Sequence, residues 1–182
     1  MHYKFAEIIR IMKNLFLFLA LVPILFFGQS KKTQLATNSY IKSVDNLTLD
    51  AAFEITKRVT EKATLLNKNV AIAVLDASGN VLLLTRPNDV GPHNAEAARR
   101  KAYTSLSTKT ATLALLRNAA SNPDTNNLNS LPELLLLSGG SPIWYKGTVI
   151  GSIGVAGGGS AENDDILAKA AEITEIGITT TK

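Results

Sequence analysis

The sequence contains no cysteine. That removes disulfide frameworks, thiolate zinc sites, iron–sulfur clusters and thiol nucleophiles together. Methionine occurs only as Met1 and Met12, and histidine only as His2 and His93. A lone histidine builds no zinc site, and no HExxH-like pair supplies a second ligand. No Walker lysine is present, and no GxGxxG lies in the strand–turn–helix register of a dinucleotide site. The chain also lacks the GxSxG elbow of a serine hydrolase. Asp164 and Asp165 are neighbours on a helix, so they point about 100° apart and form no carboxylate dyad.

Length and composition then bound the fold. The chain has 182 residues, of which 46% are apolar and 19% charged. That length suits one globular domain with its own core, and the apolar fraction is too high for a disordered chain. Residues Leu15 to Phe27 (LFLFLALVPILFF) form a run without a charge, preceded by Lys4, Arg10 and Lys13 and followed by the small residues Gly28 and Ser30. A basic n-region, a short apolar h-region and small-x-small describe a secretory signal peptide, expected over residues 1–30 with cleavage after Ser30. The run is shorter than the roughly 20 residues of a membrane span, so no stable span is expected after cleavage.

This leader explains the net charge of +4. Five of the Lys/Arg residues and one acid fall within residues 1–34, leaving 14 basic and 14 acidic residues from Leu35 onward. A neutral domain lacks the basic face that nucleic-acid binding needs, so no nucleic-acid partner is expected.

Residues 31–46 are polar and aperiodic and read as a tether, with the domain proper at 47–178. Thr48 is placed as an N-cap. Ala52, Ile55, Val59, Ala63 and Leu66 recur at helical spacing behind it. NVAIAVLD and VLLLT, separated by the turn DASGN, predict a hairpin. Helices are expected from His93 or Asn94 to about Leu106, and again over 109–120. The segments LLLL, PIWY and TVIGSIGVAG read as three strands, and 161–176 as the last helix. The expected fold is α+β: a five-stranded, largely antiparallel sheet packed with helices as an α-β-α sandwich, in the order αββααβββα.

Two features could carry chemistry. The glycines between Gly151 and Gly159 are either structural turns or a ligand-contacting nest at the start of the last helix. Glu162, Asp164 and Asp165 there already complement the helix dipole and oppose a second anion. His93, in the loop NDVGPHN, is either a surface or capping residue or a ligand or acid–base group. Trp144 and Tyr145 read as packing residues.

Taken together, LTLDAA, VAIAVLDASGNVL, NAEAARRKAYTSLSTKTATL and LPELLLLSGGSPIWYKGTVIGSIGVAGGGSAENDD resemble the GlcG/HbpS family of haem-binding and haem-degrading-type domains. That domain is also similar to the C-terminal half of PduO proteins. The resemblance runs from about Leu47 to Ile176 with the segments in order. It implies an α/β sandwich that assembles into homo-oligomers and takes a small ligand, haem in the characterised branch. Carried over by motif, the site region comprises Gly139, Gly140 and Pro142, then Gly154, Gly157 and Gly158, and Lys101, Ala102, Tyr103 and Thr104. Asp164 matches the acidic position that opens the last helix. The chain departs from the family pattern at Ala156, where GVAG replaces the commoner GVSG and removes a hydroxyl.

A haem iron here would draw on His93, on a tyrosine such as Tyr103 or Tyr145, or on weaker oxygen ligands. The assignment of His93 comes from this chain rather than from the family's pattern. The expected protein is therefore a periplasmic or secreted, homo-oligomeric haem- or tetrapyrrole-binding protein. The alternatives are a binder or enzyme for a small organic acid, with Lys101 or Arg99 as anion contacts, and an accessory oligomer without a small-molecule site.

Overall fold

Helix α1 (Leu49–Leu65) begins where Thr48 accepts a hydrogen bond from the Ala51 amide at 3.2 Å. Ala52, Ile55, Val59 and Ala63 are its buried stripe. It leads into β1 (Ala71–Asp76), and a turn at 77–80 returns the chain as β2 (Val81–Thr85), antiparallel to β1. Helix α2 (His93–Thr108) follows, then α3 (Thr112–Ser121) and a single turn, α4 (Pro123–Asn126). Strands β3 (Gly140–Tyr145) and β4 (Thr148–Ala156) form a second hairpin. Helix α5 (Ala161–Lys169) and a two-residue strand β5 (Ile178–Thr179) complete the chain. The computed structural model describes residues 40–182, so the signal-peptide region lies outside the described residues. Val44–Lys182 pack as one unit, and no helix among the described residues is long and apolar enough to cross a membrane.

The sheet is five-stranded and antiparallel throughout, in the order β2-β1-β4-β3-β5. Every residue of β1 is buried, because both faces are covered. Ile72 and Val74 join Ile143, Ile153 and Val155 in the core beneath α1 and α5. Ala71, Ala73 and Leu75 face the other way and pack with Ala98 and Ala102 of α2. The result is the expected α+β sandwich.

Two elements differ in detail. Leu134–Leu137 runs outside the sheet, since side chains of α2 take its backbone groups. Arg100 donates to the Pro132 and Leu134 carbonyls, and the Leu135 amide donates to Thr104 Oγ1 at 2.8 Å. Leu134 and Leu136 form a small separate core with Leu115. The fifth strand instead follows α5, where Trp144 and Tyr145 pair with Thr179 and Ile178.

Candidate functional site

The side of the sheet that faces α2 is paved with small residues. Ala73 pairs with Gly154, and Gly154 with Gly140, so a row without bulk crosses three strands. A Cβ on Gly154 would collide with the Ala98 carbonyl and lie 2.7 Å from the Ala102 amide. One on Gly140 would collide with the Lys101 carbonyl. These glycines are therefore needed for the close seating of α2 on the sheet.

That seating carries Lys101 into the interior. Its Nζ donates to Asp164 Oδ2 at 2.8 Å and to the Val155 carbonyl at 2.9 Å. The Lys101 side chain is 5% exposed and that of Asp164 12%, so the pair is shielded from water. Asp164 Oδ1 accepts from the Gly158 amide at 2.8 Å. Gly139, at φ +107°, fits against this cluster, where a Cβ would lie 2.7 Å from that of Asp164. The GGSP turn, the GVAGGG turn and the RKAYT helix thus converge on one buried ion pair. Thr104 is fully buried, with Oγ1 donating to the Arg100 carbonyl while accepting from Leu135. Pro142 is buried within β3, paired with Ser152, whose own hydroxyl is buried without a partner.

His93 stands apart from that node, exposed at the first position of α2. Its ring folds back on Gly91, where a Cβ would sit 2.9 Å from Cε1. Gly91 lines a polar cavity of about 310 Å³ together with Lys68, Asn69, Asp89, Asn94 and Gly157. Asn69 Nδ2 donates to Asp89 Oδ2 at 2.6 Å, and Lys68 and Asp89 are the cation and the anion of the lining. Lys68, Asn69, Asp89 and Asn94 carry no motif: the sequence offers Asp89 only as a turn-type acid and Asn94 only as a helix start, and gives no chemical reason to single out Lys68 or Asn69. The signal the sequence offered was the asparagine pair flanking Lys68 where α1 ends, and the structure puts Asn67 there at φ +52°.

Tyr103 lies ten residues further along α2, about 15 Å away at 1.5 Å per residue. Its ring packs beneath the Asp76–Asn80 turn, 3.3 Å from where a Gly79 Cβ would stand. It lines a second cavity, of about 250 Å³, with Ser78, Ser107 and Lys109. His93 and Tyr103 therefore cannot serve one iron from the same chain. Tyr145 lies elsewhere, on β3 beside β5. The Arg99 guanidinium bonds Glu96 and Glu133 at the surface, and Arg99 holds the Glu96 carboxyl below the usual range. Among the described residues no cluster of three or more His, Asp or Glu side chains could hold a free metal ion.

An antiparallel five-stranded sheet sandwiched by helices, with glycine turns closing on a buried Lys–Asp pair, is how the sequence motifs quoted for the GlcG/HbpS resemblance come together. The chain belongs to the family of haem-degrading HbpS-like proteins, whose model matches residues 47–172. It is similar to a double-mutant HbpS of Streptomyces reticuli, at 34% identity over 72% of this chain and 88% of that one, with a TM-score of 0.67. It is also similar to PduOC solved in complex with haem, at 27% identity over 75% of this chain and 99% of that one, with a TM-score of 0.66. The corrinoid adenosyltransferase PduO of Salmonella typhimurium is 28% identical over 68% of this chain, which spans only 38% of that protein.

Proposed function

We propose that this protein binds haem or a related tetrapyrrole, with His93 as the iron ligand, and that it does so after export to the periplasm or the medium. The observation that carries the reading is an exposed imidazole seated on Gly91 at the edge of a cavity whose cation is Lys68. The donor set fits the group. Imidazole is a common axial ligand of haem iron, and Lys68 with the amides of Asn69 and Asn94 supplies donors for propionates, set against the one carboxylate of the lining, Asp89, which already accepts from Asn69. At about 310 Å³ the cavity is at the small end of ligand sites, so it fits an edge of the macrocycle rather than the whole. Bound haem would supply redox chemistry at iron, while the chain's own residues bind and orient it. The haem complex of PduOC supports the choice of ligand.

Of the motif-derived residues, Gly157 lines the cavity beside His93 and Tyr103 a different one, while the others hold the scaffold on which His93 is presented. Lys101, Gly139, Gly140 and Gly158 lock α2 to the sheet and to α5, while Thr104 and Pro142 are packed on either side of that contact. Assembly into homo-oligomers belongs to the same proposal, and the exposed Val81 and Leu84 on edge strand β2 support it. The test is a haemin titration followed by absorbance. The wild type should give a saturable Soret shift, and His93→Ala should lose or displace it. No shift in the wild type, or an identical spectrum in the variant, would overturn the reading.

A further inference from the structure

A third cavity adjoins the one beside His93, with which it shares Lys68 and Asn69, and lies between the polar face of α1 and the end of β2. It has a volume of about 260 Å³ and is lined by Thr56, Thr60, Thr64, Lys68, Thr85 and Arg86, among others. Two cations border it, and no carboxylate does. Arg86 is held in place through one guanidinium nitrogen, which donates to the carbonyls of Pro87 and Val90.

The hydroxyls along α1 are sorted by what they already bond. Thr60 Oγ1 donates to the Thr56 carbonyl at 2.8 Å, and Thr64 Oγ1 to the Thr60 carbonyl at 2.9 Å. Their hydrogens are spent, so each offers only lone pairs to a ligand. Thr56 breaks the series: its Oγ1 is buried and has no partner at all. That buried atom has no surface open to a ligand, so the oxygens within reach of a ligand's hydroxyls are those of Thr60 and Thr64, both exposed, in the same cavity lining as the cations Lys68 and Arg86.

We propose that this groove is a binding site for a small hydroxylated anion, carboxylate or phosphate, adjoining the haem-binding site proposed above and sharing Lys68 and Asn69 with it. Lys68 lines both cavities, with its Nζ beside Gly159, and serves as an anchor for the charge. Arg86 supplies the second anchor, and its planar guanidinium suits either oxyanion. The threonine oxygens accept from the ligand's hydroxyls and so select against anions that lack them.

The experiment is calorimetric titration of the folded protein with glycerate and glycerol 3-phosphate, each against its hydroxyl-free counterpart, propionate and propyl phosphate. At least one hydroxylated anion should bind tenfold or more tightly than its counterpart, and the stronger of the two identifies the anionic group. Thr60→Val should reduce that ratio to below threefold. Lys68→Gln and Arg86→Gln should each weaken binding tenfold or more. Thermal melts establish that each variant is folded. No binding by either hydroxylated anion, equal binding of the counterparts, or indifference to these substitutions in folded variants would overturn the site. Thr60 lies outside the cavity next to His93, so the haemin titration of Thr60→Val keeps failure of this site distinct from failure of the haem reading.

Discussion

Lys101 Nζ and Asp164 Oδ2 are 2.8 Å apart, joining the middle of α2 to the first turn of α5 across 63 residues of sequence. Both side chains are almost wholly removed from water, so neither charge has an alternative partner in solvent. Breaking such a pair strands a buried charge and costs about 3–5 kcal/mol, whereas replacing both members with apolar residues is often close to neutral. Lys101→Met and Asp164→Leu should each lower the free energy of urea unfolding by that amount. The double variant should lose less than the two single losses combined. Strict additivity would show that the pair is not coupled.

The seating of α2 on Gly154 gives a second test. Gly154→Ala pushes a methyl group into the Ala98 carbonyl and the Ala102 amide, backbone that cannot rotate away. The cost should reach or exceed the upper end of the roughly 1–3 kcal/mol typical of overpacking. Gly147→Ala is the control: at φ +76° with nothing near its Cβ, it should cost only the left-handed conformation, about 1–2 kcal/mol. Equal melting temperatures for the two variants would contradict the packing described.

Asp76 sets a pH dependence. Burial alone would raise its carboxyl, but hydrogen bonds from the Asn80 side chain and from the Asn80 and Ser78 amides outweigh it and hold the group below its ordinary value. A carboxyl depressed in the folded state adds stability that is complete above the unfolded pKa of about 3.9 and is lost as pH falls through the lower folded value. Chemical denaturation from pH 7 down to pH 2 should show this loss in the wild type. Asp76→Asn should flatten that part of the curve and lower stability at pH 7.

Much of this architecture was legible in the chain. The Thr48 cap, the stripe Ala52–Ile55–Val59–Ala63 and the DASGN hairpin are local patterns, and local hydrogen bonds and burial enforce them. LLLL carries the composition of a strand, but Arg100 and Thr104 from α2 capture its backbone groups, a choice no periodicity reveals. Strand β5 is two residues long, too short to leave a pattern. At the site, the resemblance pointed to Lys101, the glycines and Asp164, yet sequence alone could not tell that they close on each other. The cavity beside His93 was invisible because Lys68 and Asn69 come from one segment and Asp89 and Asn94 from another, and all four are ordinary turn or surface residues there.

Export makes its own prediction. Expressed from its own gene start in a bacterial host, the protein should be recovered from the periplasm or medium with Lys31 at or within a few residues of its N-terminus. N-terminal sequencing checks this. Recovery from the cytoplasm with the run Leu15 to Phe27 retained would count against it.

The most direct test of the central claim locates the tetrapyrrole itself. Zinc protoporphyrin, a diamagnetic stand-in for haem, can be added to isotopically labelled protein and followed by amide chemical-shift mapping. Shifts should centre on Lys68, Asn69, Asp89, Gly91, Asn94 and Gly157 around His93, and should vanish in His93→Ala. Shifts centred instead on Ser78, Gly79 and Ser107 beside Tyr103, at the other end of α2, would contradict the account.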